Sequence, residues 1–220
     1  NNPSGAVFEN CIIKDSHSGG AAVFVGFSSG AVFRDCIIKN NSCSNDGFTQ
    51  LVGAGIKVHY GAVLLDRTKV MENYTLNSAN VSGEFHRGSG IYAESSTIYV
   101  INSLVAGNYI DNQGAAGGGN YGSGIYAWSS NLAIINSTIT GNQGIDNQGS
   151  NGTTLEIGST DGKQIVIFNS IIAGNSPSSN QSYMDQTGQY VIGNTVFEGA
   201  STEWFFDDSE GCYDFDPLFE

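Results

Sequence analysis

The stretch Asn136-Ser-Thr-Ile-Thr-Gly-Asn142 recurs as Asn102-Ser-Leu-Val-Ala-Gly-Asn108 and Asn169-Ser-Ile-Ile-Ala-Gly-Asn175. Looser copies lie upstream, Asn10-Cys-Ile-Ile-Lys-Asp-Ser16 and Asp35-Cys-Ile-Ile-Lys-Asn-Asn41, and a degenerate one is Arg67-Thr-Lys-Val-Met-Glu-Asn73. A signature that returns every 25 to 35 residues marks a repeat architecture. No single unit of that size can bury an apolar face alone, so neighbouring units must stack.

Aligning the copies on their first Asn resolves each unit into strands. A glycine-led segment comes first, as in Gly55-Ile-Lys-Val-His, Gly90-Ile-Tyr-Ala-Glu and Gly124-Ile-Tyr-Ala-Trp. A short polar turn leads to a second strand such as Leu132-Ala-Ile-Ile, and the motif itself supplies a third. Strict alternation inside each segment excludes helices. The expected fold is all-β, a right-handed parallel β-helix of six to seven coils about 4.8 Å apart. Long connections at 42–52, 74–87, 109–121, 143–151 and 176–188 leave one edge. The coils are expected over 1–183, with a last coil and a cap or return segment over 184–220. Tyr190-Val-Ile reads as one more first strand, and the aromatic tail as cover for a sheet end.

The first Asn of the motif is assigned to a ladder of Asn10, Asp35, Asn102, Asn136 and Asn169. A bend between parallel strands strands backbone N–H and C=O groups, and a side-chain amide offers both donor and acceptor. Arg67 interrupts this ladder, so an irregularity is expected at its coil. Asn136 is expected to be buried.

Composition excludes some partners. The 220-residue chain carries 30 Gly and a net charge of −13 with eight Lys plus Arg. Nucleic acid and anionic membranes are disfavoured, and a polyanion such as pectin would need Ca²⁺ to bridge it. No apolar run reaches membrane-spanning length. The opening at Asn1, already within the first repeat, suggests a piece of something larger. Of the sequons, Asn73, Asn80, Asn151 and Asn180 fall on the loop edge and are the glycosylation candidates, which points to an extracellular or cell-surface protein. Cys11 and Cys36 share a stack position; pairings Cys11–Cys36, Cys36–Cys43 and Cys43–Cys212, or free thiols, all stay open.

On these motifs the chain resembles a right-handed parallel β-helix of the pectin-lyase-like superfold. More narrowly it resembles the N-S-x-I-x-G-N repeat regions of secreted and surface-anchored proteins, which often close on a segment like Asp216-Pro-Leu-Phe219. That resemblance places carbohydrate sites on the outer face of the first strand. Alternation puts Lys57, His59, Tyr92, Glu94, Tyr126 and Trp128 together there, as a sugar platform or as cross-strand packing with no ligand. A polysaccharide lyase or glycoside hydrolase would need an Asp cluster, or Ca²⁺ carboxylates with an Arg base, on that face, and neither is seen. No catalytic residue, metal site or required cofactor is therefore assigned. Ca²⁺ remains a candidate only through the acidic tail, Asp207, Asp208, Glu210, Asp214 and Asp216. Ile101, Ile135 and Phe168 on the second strand, with Leu104 and Ile171 on the third, form an outward apolar surface suited to assembly with copies of the chain or other parts of a surface structure. The expected function is a non-catalytic structural or adhesive unit. A carbohydrate-active enzyme is the alternative.

Overall fold

A computed structural model describes residues 5–45, 51–77, 85–112, 119–146, 152–176, 182–185 and 187–198. These residues form an all-β parallel solenoid, with every strand pair parallel and in register. The glycine-led strands build a six-stranded sheet that includes Ile91–Glu94 and Ile125–Trp128 (sheet I). The second strands, such as Thr97–Ile101 and Asn131–Ile135, build a seven-stranded sheet II. The motif strands, such as Leu104–Ala106 and Thr138–Thr140, build a seven-stranded sheet III.

A fourth sheet was not expected. His17–Ser18, Ser42–Asn45, Tyr74–Asn77, Tyr109–Asn112 and Gln143–Asp146 stack as sheet IV, at the start of segments whose Gly, Asn, Ser and Gln content reads as loop. Its inward positions include Cys43, Thr75 and Ile110, all fully buried, and Thr75 satisfies its hydroxyl on Ser89 Oγ at 3.3 Å. Mixed polar and apolar inward residues erase the alternation that marks the other sheets. Four turns carry all four strands, with partial turns on either side, so the expected six to seven coils are complete only in the middle. Ser182–Met184 joins sheet I, and Gln189–Gly193 pairs with Gln164–Phe168 in sheet II. Tyr190-Val-Ile is thus a second strand, not a first. Residues 199–220, with the expected cap, lie outside the described residues.

The core is the set of inward rows. Ile56, Ile91, Ile125 and Leu155 stack in sheet I, Phe33, Leu65, Val100, Ile134 and Ile167 in sheet II, and Ile38, Val70, Val105, Ile139 and Ile172 in sheet III, all fully buried. Each such side chain contributes about 1.5–3 kcal/mol by leaving water.

Each letter of the repeat has a separate duty. Its first residue makes a bend in the left-handed region: φ is 51° at Asn102, 50° at Asn136 and 50° at Asn169. The next residue turns inward, where hydroxyls link the coils: Thr68 N–H donates to Ser103 Oγ (3.0 Å), Ser103 N–H to Ser137 Oγ (3.1 Å) and Ser137 N–H to Ser170 Oγ (3.2 Å). The Gly makes a second left-handed bend, with φ of 62° at Gly107 and Gly141 and 68° at Gly174. The final Asn is buried.

This last point corrects the ladder. Asn10, Asp35, Asn102, Asn136 and Asn169 are exposed. Their amides do touch between coils, as Asn136 Nδ2 to Asn102 Oδ1 at 3.2 Å and Asn169 Nδ2 to Asn136 Oδ1 at 2.7 Å, but in water. The buried ladder is Asn41, Asn73, Asn108, Asn142 and Asn175, at the other end of the motif. Within it Asn108 Nδ2 donates to Asn142 Oδ1 (2.9 Å) and to the Val70 carbonyl (3.0 Å), while its Oδ1 accepts from the backbone N–H (3.1 Å) and Nδ2 (3.0 Å) of Asn73. The bend position needs a residue tolerant of positive φ, which Asn is. The buried position needs an amide. One residue type served two purposes six residues apart, and the wrong copy was assigned the buried role. Arg67 causes no irregularity: it keeps φ at 49° and replaces the amide contact by bonding both Asp35 oxygens at 2.8 and 3.0 Å.

Removing Asn108 would leave two buried donors of Asn73 unpaired. Asn108→Ala is expected to lower stability by about 3–5 kcal/mol, whereas Asn136→Gly, which keeps the left-handed bend, stays within about 1 kcal/mol. Urea unfolding of the two variants checks the assignment; equal effects would refute it.

Candidate ligand groove

Sheet I turns two rows outward. The first runs Phe24, Lys57, Tyr92, Tyr126, Glu156 and Tyr183, and the second Gly26, His59, Glu94, Trp128 and Gly158. Beside them a two-stranded ladder, His86–Arg87 with Asn120–Tyr121, adds Arg87 and Tyr121. From these elements Tyr92, Glu94, Tyr126, Trp128, Glu156, Tyr183, Arg87 and Tyr121, together with Phe85 and Thr153, line a groove of about 630 Å³.

The aromatic floor is ordered by the register. Tyr92 and Tyr126 stack with ring centroids 5.4 Å apart and planes within 4°, and Tyr126 and Trp128 lie 6.1 Å apart, again within 4°. The two tyrosines are buried, so stacking uses up most of their ring faces. Trp128 is 40% exposed and is the floor's accessible apolar surface. Its indole lies against the backbone of Gly158, where a Cβ would collide with the six-membered ring. Arg87 caps the floor, its guanidinium 5.3 Å from the Tyr126 centroid and 5.2 Å from that of Phe85.

Two carboxylates enter the groove in different settings. Glu94 is half-exposed; its Oε2 accepts from the Tyr92 hydroxyl at 2.7 Å and lies 3.7 Å from His59 Nε2. Glu156 is 7% exposed, and its Oε2 accepts from the Thr153 hydroxyl at 2.6 Å. Burial pushes the Glu156 carboxyl up to about 7 against the opposing pull of the Thr153 bond and Arg87. Burial likewise raises the Tyr126 hydroxyl, to about 12. Behind the groove, His86 is fully buried with neither ring nitrogen bonded, and burial, aided by Arg87, lowers it to about 4.

Of the six residues expected here, Tyr92, Glu94, Tyr126 and Trp128 line the groove. Lys57 and His59 sit on the adjoining coil: Lys57 Nζ is 5.9 Å from the ring centroids of Phe24 and Tyr92, and His59 tilts against Tyr60 at 4.5 Å. Arg87 and Tyr121 were missed because their short strands lie inside segments that read as loops. Glu156 was visible in its row, but its burial was not.

The other expected sites divide. Asn73, a glycosylation candidate, is fully buried in the amide ladder and cannot carry a glycan in the folded chain. Asn136, expected to be buried, is exposed. Asn80, Asn151 and Asn180 lie outside the described residues, as does the acidic tail considered for Ca²⁺. Among the described residues no group of three or more His, Cys, Asp or Glu is placed to hold a metal, and no helix is long and apolar enough to cross a membrane. Cys11, Cys36 and Cys43 are free thiols, which removes the Cys11–Cys36 and Cys36–Cys43 pairings. On sheets II and III, Phe168 is 41% exposed while Ile101, Ile135, Leu104 and Ile171 are half-buried. They adjoin an outward row, Val7, Val32, Leu64, Tyr99, Ala133, Val166 and Val191, that is apolar along its whole length. No protein-family model, no curated protein and no solved structure matches the chain.

The Glu156 carboxyl binds a proton more tightly in the folded chain than in the unfolded one, where it titrates near 4.5. Its contribution to stability is full below pH 4.5 and is lost as pH rises through about 7, on the order of 3 kcal/mol. His86 works in the opposite sense, costing stability as pH falls from about 6.5 through 4. Glu156→Gln is therefore expected to gain stability relative to the native chain between pH 5 and pH 8 in parallel urea titrations. A difference independent of pH would show that Glu156 titrates normally.

Proposed function

We propose that the chain is a non-catalytic, extracellular adhesive β-helix unit that binds carbohydrate in the sheet I groove and belongs to a larger surface protein or fibre-like assembly. The observation that carries the binding reading is the Trp128–Tyr126–Tyr92 floor flanked by Glu94, Glu156 and Arg87. Sugar rings have apolar C–H faces that pack on an indole, and hydroxyls that bond to carboxylates and guanidinium groups. The pectin-lyase-like resemblance supports the same face. The assembly part draws on the outward apolar rows of sheets II and III.

Screening the full chain against immobilised neutral and charged glycans tests the binding reading. Trp128→Ala is expected to lower the affinity of the best ligand at least tenfold, about 1.4 kcal/mol. A native chain that retains no glycan would sink it.

A carbohydrate-active enzyme is the second reading, and Glu156 favours it. A carboxyl that holds its proton near neutrality suits a general acid, with Glu94 as a second carboxylate in the same groove. That enzyme would release new sugar ends from a bound oligosaccharide, and Glu156→Gln would abolish the release while Glu94→Gln slowed it. Full-length oligosaccharide recovered after prolonged incubation with the native chain would leave binding alone.

A further inference from the structure

We infer that the groove selects glycans bearing a charged amine, that is, amino sugars without N-acetyl groups, with the ammonium placed against Glu156. This rests on the carbohydrate-binding reading above and names the ligand class. The geometry supplies three reasons. First, Glu94 and Glu156 both line the groove and outnumber Arg87, the one Lys or Arg among its described lining residues, whose guanidinium lies over the faces of Tyr126 and Phe85. Second, Glu156 is almost wholly buried, and no lysine, arginine or histidine pairs with it within 4.0 Å among the described residues. A buried carboxylate without an ion-pair partner is costly, and an incoming ammonium offsets that cost. Third, the chain carries −13 overall, which draws cationic ligands in and repels uronates.

The charged and titratable groups that face Glu156 are Tyr126 and Tyr183 in its own row, Arg87 and Tyr121 on the flanking strands, and Glu94 across the groove. Burial holds the Tyr126 hydroxyl protonated near neutrality. An ammonium arriving at Glu156 favours the carboxylate, so at pH 6 the carboxyl gives up its proton as the ligand binds. A neutral sugar has no such effect. Proton release therefore separates pairing at Glu156 from general attraction to an acidic surface.

The experiment is calorimetric titration of the full chain at pH 6 with glucosamine oligomers and with their N-acetylated counterparts. Buffers of differing ionisation enthalpy count the protons. The glucosamine oligomer is expected to bind at least tenfold tighter and to release close to one proton, with none for the N-acetylated form. In Glu156→Gln the affinity ratio is expected to fall towards one and the proton release to vanish; Glu94→Gln, at a more exposed site, reduces the ratio with release retained.

Equal or weaker binding of the amine form overturns the selectivity, as does a preference that survives Glu156→Gln. Oligolysine of matched charge binding as tightly, with the same proton release, also overturns it, because the groove would then read charge without sugar. In each of these cases Trp128-dependent binding of the N-acetylated oligomer leaves the carbohydrate reading standing. Failure of both oligomers overturns the selectivity, and the wider glycan screen judges the groove.

Discussion

The buried amide ladder Asn41–Asn73–Asn108–Asn142–Asn175 is the interaction on which the rest of the solenoid depends. Every side-chain Oδ1 from Asn73 to Asn175 accepts two bonds from the coil before it, one from Nδ2 and one from the backbone N–H. Bonds of that kind fix spacing and register together, since a coil shifted by one residue would present a side chain of the wrong type. The ladder also dictates sequence elsewhere. Gly55, Gly90 and Gly124 open the strands of sheet I because the next coil's backbone and the amides both lie against them: a Cβ at Gly55 would come within 2.7 Å of the Gly90 carbonyl oxygen and 2.9 Å of Asn73 Nδ2, one at Gly90 within 2.5 Å of the Gly124 carbonyl oxygen and 2.9 Å of the Asn108 amide, and one at Gly124 within 3.1 Å of the Asn142 amide. The glycine-led strand and the closing Asn of the motif are one constraint seen from two sides.

A second consequence is a division of labour between the inside and the outside of each strand. Inward rows are interchangeable aliphatic residues, and their burial supplies the bulk of the driving force. Outward rows contribute little to that core. Sheet II shows this freedom in its register row Glu9, Arg34, Asp66, Ile101, Ile135 and Phe168, which passes from charged to apolar along the axis. The charged half holds itself with an Arg34–Glu9 contact at 3.0 Å and the Arg67–Asp66 contact at 2.8 Å. In exposed settings such pairs add little stability, so they answer to solubility more than to folding.

That division explains what the sequence revealed. Sheets I to III were legible because period-two alternation survives where aliphatic residues point inward, and Tyr92, Glu94, Tyr126 and Trp128 could be placed on one outer face by counting. The identity of the buried Asn was only faintly legible: the closing position is Asn in five of the six copies, Ser16 excepted, and the opening position in four, Asp35 and Arg67 excepted, and it is burial that separates them. Sheet IV escaped notice because its inward row includes Thr75, a buried polar residue whose hydroxyl bonds to Ser89, 14 residues away. Arg87 escaped for a related reason. A two-residue strand has no period to read, so the groove wall it forms appears only when 86–87 and 120–121 pair.

The groove inherits both its rigidity and its polarity from these features. Parallel in-register stacking holds the Tyr92 and Trp128 planes each within 4° of that of Tyr126, so the floor is formed before any ligand arrives and little rotamer entropy is left to lose on binding. The same stacking hides the tyrosine faces and leaves the indole as the contact surface, with Gly158 kept bare to seat it. Glu156 sits where the flanking ladder covers sheet I, and that cover, not a neighbouring anion, is the chief cause of its raised proton affinity. A carboxyl on an open coil would be charged, solvated and indifferent to what lay beside it. Burial makes its charge state depend on the ligand, and this turns an otherwise structural outer row into a site with chemical preference.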